Sequence, residues 1–396
     1  MKPNREGPIV IAAGGTGGHL FPGQALAQEL RRRGRAVALI SDERVQHFAH
    51  LFPGADIHQV PSATPSRGGA FGLVKASPAI IAGIVRSALI LGRIRPAAVI
   101  GFGGYPTLPP VAAALLRGLP TCVHEQNAVL GRVNRLVASH VNAIASTFAA
   151  PKYVSASAAR HLVVTGNPVR DAVAALAGAP YEAPSETGPI NLLVFGGSQG
   201  ARVMSDVVPG ALAKLDAGLR ARIRLVQQCR PEDMERVRAI YAEAGIAAEL
   251  QSFFDDMPAR IAAAHLVIGR SGASTVSELT VIGRPSILVP LPHSIDNDQK
   301  ANALSIEQAG AGFMIEQKDF SSDHLATVLA GLFAAPKRLA RTAEAALGQG
   351  RPDAVRALAD LVEALGRGEL GSFFARSPAD RGADGASKFL LSEGGV

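Results

Sequence analysis

Short apolar runs alternate along the chain with longer stretches of helical periodicity. The runs are rich in Val, Ile and Leu and are closed by Gly, Pro, Asn or Asp, which predicts an α/β protein with parallel sheets. Strands are expected at Ile9–Ala13, Ala36–Ile40, Ala97–Ile100, Thr121–His124, Ala143–Ser146 and Val163–Thr165. The pattern restarts with Ile190–Phe195, Arg224–Gln228, Ala248–Gln251, Leu266–Ile268 and Ser286–Val289. Between the halves, Ala172–Pro189 is rich in Ala, Gly, Pro and Glu and has no period. It reads as a linker between a domain over 1–171 and one over 190–352. The restart resembles a duplication, because IVIAAGGTGGH is echoed by INLLVFGGSQGAR. Each is an apolar strand running into a Gly-rich turn and a helix. Residues 367–396, with SPADRGADGASK, read as a flexible tail.

Composition narrows the class. A length of 396 residues suits two domains, and 47% apolar with 18% charged residues excludes chain-wide disorder. Cys122 and Cys229, the two cysteines, cannot make a disulfide scaffold or a four-cysteine zinc site. The start MKPNREGPIV lacks the apolar core of a secretory signal, so a reduced cytoplasmic setting is expected. No stretch is expected to span a membrane, since the uncharged run Pro96–Leu116 is cut repeatedly by Gly and Pro.

The net charge of +7 is unevenly spread. From Ile57 to His124 there is no Asp or Glu, while Arg67, Lys75, Arg86, Arg93, Arg95 and Arg117 are basic. Such a block implies an anionic partner. From Pro78 to Ile94 the pattern is helical, with Ile80, Ile81, Ile84, Ala88 and Leu91 along one expected face.

Three strands run into Gly-rich turns: Gly14-Gly15-Thr16-Gly17-Gly18-His19, Gly101-Phe102-Gly103-Gly104-Tyr105 and Gly196-Gly197-Ser198-Gln199-Gly200-Ala201-Arg202. Glycine admits close approach of a ligand to backbone N–H groups, and the following helix start favours negative charge. A Walker A loop is excluded because no Lys follows a Gly, and the dinucleotide fingerprint fails at Leu20. Asp42, at the end of the second strand, keeps a nicotinamide-type cofactor as the minority reading. In open parallel sheets ligands bind beyond the carboxyl ends of the strands, and two such sheets facing each other make a cleft.

Further polar groups cluster at strand ends. His124-Glu125-Gln126-Asn127 fails as a zinc-protease motif because Ala128 stands where the second His belongs, and suits a polyhydroxylated ligand. Asp296-Asn297-Asp298 matches a metal-holding D-x-D only weakly, and no metal is expected. In Ser271–Glu278, Thr275 and Glu278 have capping-box spacing. The same turn suits a diphosphate, with Glu278 placed to accept from a sugar diol.

GGTGGH, GFGGY, HEQN, GNPVR, GGSQGAR, SGASTVSE and HSIDNDQKANA occur in this order over residues 8–365. This set closely resembles glycosyltransferase family 28, in its branch that adds N-acetylglucosamine to lipid I in bacterial peptidoglycan synthesis. The resemblance implies a GT-B fold of two Rossmann-like domains across a cleft, with a helix over 353–366 packing back on the first. It implies an inverting transfer from UDP-N-acetylglucosamine to the muramyl 4-hydroxyl of the undecaprenyl-linked acceptor, giving lipid II, and a role in cell shape and division. Carried over, the donor contacts are Thr16, Gly17, Gly18, Asn127, Arg170, Ser198 and Gln299. Ala273, Ser274, Thr275, Val276 and Ser277 would hold the diphosphate and Glu278 the ribose, while Phe254 lies in the segment matching the uracil contact. His19 is the first candidate for the base, with Glu125 and His124 as alternatives. No cofactor is implied. Lys75, Ile80, Ile84, Arg86 and Arg93 are expected to dock on anionic lipids of the inner membrane's cytoplasmic face.

Two other classes remain. A nucleic-acid module would explain the basic block but lacks interleaved aromatics, which make up 5% of the chain. An NAD-dependent or UDP-sugar-modifying enzyme such as an epimerase would also use the Gly-rich turns.

Overall fold

The computed structural model describes residues 6–14, 17–64, 69–197 and 200–375. For residues 17, 47, 69–75, 374 and 375 only the backbone is described. The chain forms two compact units, residues 1–170 with 352–396, and residues 171–351.

The first unit is built on seven parallel strands: β1 (Ile9–Ala12), β2 (Val37–Ser41), β3 (Asp56–Gln59), β4 (Ala98–Gly101), β5 (Thr121–Glu125), β6 (Ala143–Ser146) and β7 (Leu162–Val164). Their order is β3-β2-β1-β4-β5-β6-β7. The central strands are buried on both faces, which explains their unbroken apolar sequence. Helix α1 (Gly17–Arg32) lays Leu20, Leu26 and Leu30 on Ile9, Ile11 and Ile100. The C-terminal helix Ala354–Arg367 adds Leu358, Leu361, Val362 and Leu365 to the same core. Arg33 fastens it with bonds to Asp360 (2.5 Å) and Glu363 (3.0 Å).

The second unit repeats the plan with β8 (Ile190–Phe195), β9 (Ile223–Gln228), β10 (Ala247–Gln251), β11 (Leu266–Gly269), β12 (Ser286–Leu288) and β13 (Phe313–Met314), ordered β10-β9-β8-β11-β12-β13 and parallel throughout. In each sheet the strand order reverses once, between β1 and β4 and between β8 and β11. Such reversals open a crevice at the carboxyl ends of the two strands.

Several expectations need correction. Residues 172–189, expected as the interdomain linker, fall within the second unit and pack on it. Gly178 N donates to Val281 O (3.1 Å), Tyr181 Oη to His265 O (2.8 Å), and the buried Arg284 guanidinium to Ala179 O (3.0 Å) and Pro180 O (2.9 Å). Within the expected tail, Leu370–Ala375 is helical, and Leu370 and Phe373 pack on the first core. Residues 376–396 of the expected tail lie outside the described residues. Strands β3 and β13 were not foreseen.

Helix α2 (Gly69–Ile94) also departs from expectation twice. Its portion Ala76–Ile94, 19 residues, is long and apolar enough to cross a membrane by length and composition alone. In the fold, one side of it packs on α3 (Leu108–Leu116) and the sheet, with Leu91 at 1% exposure and Ile84 and Ala88 against the same core. The face expected outward is therefore largely the inward one. The exposed stripe is Ile81, Val85 and Leu89, at 60%, 57% and 63%.

Candidate active site

Each polar cluster picked out from the sequence sits beyond a strand's carboxyl end, and the Gly-rich turns flank the two reversal points. In the first unit, β1 leads through Gly14 to α1, whose first turn holds Gly17, Gly18 and His19 and no acid. Gly15 and Thr16 lie outside the described residues. β4 runs into Phe102, Gly103 and Gly104, and the last two have left-handed φ of 82° and 76°. A Cβ at Gly103 would come 3.5 Å from His19 Cε1, and one at Gly104 3.3 Å from Cδ2. The two glycines thus make room for the half-buried imidazole lying along them.

The other two base candidates are enclosed. His124 is fully buried, its ring 5.4 Å from that of Phe102. Its Nε2 donates to Gly166 O at 3.0 Å, and its Nδ1 is buried without a partner. Burial pushes its pKa down to about 4, and the neighbouring His19 acts in the same direction. The Glu125 carboxylate, 2% exposed, accepts from Gly131 N (2.7 Å), Asn134 Nδ2 (2.9 Å), Asn127 N (3.1 Å) and Asn127 Nδ2 (3.5 Å). Burial raises its pKa against these bonds. Both groups brace the loop after β5 and are buried, whereas His19 is half-buried. Asn127 is half-buried beside Glu125, and Arg170 is exposed at the end of the first unit.

Sequence reasoning missed Asn134 and the detailed role of Gln126. Asn134 Nδ2 also donates to His124 O (3.1 Å), and Gln126 Nε2 to Phe102 O (2.9 Å), which ties the β4 turn to the β5 loop. Only the polarity of HEQN signalled such a network.

In the second unit the turn after β8 is tight: a Cβ at Gly196 would lie 2.1 Å from Ala201 N. Gly196 N donates to Gln228 Oε1 (3.0 Å), and Gln228 Nε2 to Ser252 O (3.2 Å), a bridge the sequence did not reveal. Ser198 lies outside the described residues. Phe254 is buried, with the Arg260 guanidinium 4.3 Å over its ring, while Phe253 is 62% exposed.

β11 leads through Arg270, Ser271 and Gly272 into the helix Ala273–Ile282. The capping-box spacing of Thr275 and Glu278 is not used as a cap, because Thr275 already lies inside the helix. The N-cap is Gly272, it has no side-chain cap, and the first helical bond joins Val276 N to Gly272 O (3.0 Å). The N–H groups of Ala273, Ser274 and Thr275 therefore have no acceptor within the helix, an arrangement suited to an anion. The Ser277 hydroxyl is spent on Ala273 O (2.8 Å), Val276 is buried, and half-buried Glu278 stands sixth in the helix. Gln299 borders the same turn, its carbonyl accepting from Ser271 Oγ at 2.8 Å.

The D-x-D segment is bent: Asp296 and Asn297 both have φ of 55°, and Asp298 Oδ1 accepts from Gln299 N (2.7 Å). Among the described residues no three His, Cys, Asp or Glu side chains gather closely enough to hold a metal. Away from these turns, a groove of about 500 Å³ between β3 and α2 is lined by His58, Arg86, Leu89 and Arg93 among others. Of the residues expected at a membrane, Arg86 and Arg93 are exposed, Ile80 and Ile84 are half-buried, and the Lys75 side chain lies outside the description.

Comparison with known proteins fits this geometry. Residues 9–146 match the family model of the glycosyltransferase family 28 N-terminal domain, and residues 191–358 that of its C-terminal domain. A Chelativorans sp. (strain BNC1) relative is 51% identical over 93% of this chain and 98% of its own. One from Methylobacterium sp. (strain 4-46) is 54% identical over 89% and 95%. Both are named UDP-N-acetylglucosamine–N-acetylmuramyl-(pentapeptide) pyrophosphoryl-undecaprenol N-acetylglucosamine transferase. The crystal structure of Acinetobacter baumannii MurG superposes with a TM-score of 0.74 at 27% identity, over 90% of this chain and 99% of that one. The crystal structure of a "putative UDP-N-acetylglucosamine 2-epimerase" from Listeria monocytogenes shares the fold alone, at 14% identity and a TM-score of 0.61 over 90% and 96% of the two chains. The two parallel-sheet units are those of the GT-B fold, and the chain belongs to glycosyltransferase family 28.

Proposed function

We propose that this chain transfers N-acetylglucosamine from UDP-N-acetylglucosamine to the N-acetylmuramyl-(pentapeptide) pyrophosphoryl-undecaprenol acceptor, lipid I, to give lipid II. The observation that carries the reading is identity of about one half, over nine-tenths of the chain, with relatives bearing that activity in their names. The uncapped helix start at Ala273–Thr275 supports the donor half, since it offers unpaired N–H groups to a diphosphate.

In this reading the acceptor's 4-hydroxyl attacks the anomeric carbon from the face opposite the diphosphate. The new C–O bond forms as the bond to the diphosphate oxygen breaks, inverting the centre. UDP departs with the electron pair, its charge held by the Ala273–Ser277 helix start and by Arg170. His19 accepts the hydroxyl proton. Enclosure of His124 and Glu125 supports that assignment. Glu278 receives the ribose hydroxyls, and Thr16, Gly17, Gly18, Asn127, Ser198 and Gln299 orient the rest of the donor. The exposed Phe253, beside buried Phe254, is the better placed of the pair to touch the base. No metal or cofactor takes part.

The acceptor's lipid requires work at a membrane. The exposed stripe Ile81, Val85 and Leu89, flanked by Arg86 and Arg93, supports peripheral attachment to anionic lipid on the cytoplasmic face of the inner membrane. Nucleic acid is not a partner. Thermal shift with UDP, NAD and an oligonucleotide in EDTA tests the donor reading. Stabilisation by UDP alone is expected, and stabilisation by NAD or the oligonucleotide instead would overturn it.

A further inference from the structure

Two buried polar side chains join the turn after β11 to the helix Asp298–Gln308 that begins beside Gln299. Ser271 and Asn302 are both 0% exposed. Ser271 Oγ donates to Gln299 O at 2.8 Å, and Asn302 Nδ2 donates to Ser271 O at 3.0 Å. The bonds run in opposite directions, so each element holds the other at one peptide. Arg270, the preceding residue, donates to Val289 O (3.0 Å), Pro290 O (3.1 Å) and Gln317 Oε1 (2.7 Å). Residues 270 and 271 therefore grip both ends of the loop 290–299.

Gln299 closes that loop. Its Oε1 accepts from Leu291 N at 3.0 Å, and because an N–H must meet the oxygen, this bond fixes which end of the carboxamide is which. Nε2, with two N–H donors, is the end left for a ligand's oxygens. Where that donor sits is set by the Gln299 backbone, and the Gln299 backbone is set by Ser271 and Asn302.

We propose that Ser271 and Asn302 are positioning residues for recognition of the donor's sugar. They fix the Gln299 amide relative to the phosphate-facing helix start, so that discrimination between UDP-N-acetylglucosamine and UDP depends on two side chains that touch neither. The inference rests on reading Gln299 as a sugar contact. A purely structural role for the pair would weaken both ligands together, whereas a positioning role weakens only the one that carries the sugar.

Titration calorimetry of UDP and UDP-N-acetylglucosamine against the full chain tests this with Ser271→Ala, Asn302→Ala and Gln299→Glu. Ser271→Ala removes one hydroxyl and carries the test if Asn302→Ala does not fold. Gln299→Glu keeps the acceptor for Leu291 N and removes the donors. Expected is a loss of about tenfold for UDP-N-acetylglucosamine in all three, one net hydrogen bond, with UDP within about twofold. A selective loss in Gln299→Glu alone overturns the positioning role and leaves Gln299 as a sugar contact. Parallel loss of both ligands in the Ser271 and Asn302 variants overturns the positioning role as well. No selective loss in Gln299→Glu overturns the sugar contact and the inference with it.

Discussion

His124 makes the first unit acid-sensitive. In the native state its Nε2–H is committed to Gly166 O and its Nδ1 has no partner, so a second proton would add a charge and an unpaired N–H to a fully buried site. Its pKa accordingly falls from 6.5 to about 4, with burial the main cause. In the unfolded chain the ring titrates normally. Between these values the unfolded state binds more protons than the native one, so stability is complete above pH 6.5 and falls as the pH drops toward 4. By linkage the loss is about 2 kcal/mol at pH 5 and about 3 kcal/mol once both states are protonated. The perturbation is His124→Gln, which keeps a donor for Gly166 O and removes the titration. Urea unfolding at pH 7.5, 6 and 5 is the assay. Carboxylates contribute to acid loss in both proteins, so the difference between them isolates the ring. The wild type should lose about 2 kcal/mol more than the variant from pH 7.5 to 5. Parallel pH curves would refute the buried neutral imidazole and return His124 to the list of accessible bases.

Two further changes separate packing from surface. Replacing Ile81, Val85 and Leu89 together with Ser should abolish cosedimentation with anionic liposomes while leaving urea unfolding near wild type. Leu91→Ala, a buried neighbour on the other face, should cost about 2–5 kcal/mol of stability and spare liposome binding. The reverse pattern would mean that the helix is turned the other way. Arg284→Met should strip donors from Ala179, Pro180 and Ala262 carbonyls and cost about 3–5 kcal/mol. Limited proteolysis should then cut within 172–189, and an uncut, fully stable variant would contradict the anchoring described for that segment.

Much of the sheet architecture was legible because central parallel strands are buried on both faces and so read as unbroken apolar runs. The Gly-rich turns were legible for a related reason, since Gly196 faces a backbone atom that no side chain would clear. Strand β3 escaped because it is an edge strand, Asp56-Ile57-His58-Gln59, with polar residues that no period distinguishes from a loop. The α2 stripe was misassigned because an apolar helix carries hydrophobic residues on both sides. Periodicity named a face, and only packing of Ile84, Ala88 and Leu91 decided that it turns inward. Arg284 was invisible for the opposite reason: a buried arginine satisfied by carbonyls leaves no charged partner in the sequence. At the site, residue types were read correctly as polar strand-end clusters, but roles such as the bracing by Glu125 emerge only from its four donors.

The central claim is sugar transfer to a lipid-linked acceptor with His19 as the base. It is tested most directly by incubating purified wild type and His19→Ala with UDP-N-acetylglucosamine and the muramyl-pentapeptide pyrophosphoryl-undecaprenol acceptor in EDTA, and following lipid-linked disaccharide and UDP. The wild type should form both in equal amounts. His19→Ala should turn over about 10²–10⁴-fold more slowly with a nearly unchanged donor KM. Epimerised UDP-sugar without disaccharide, a strict requirement for added metal, or near-normal turnover by His19→Ala would contradict the account.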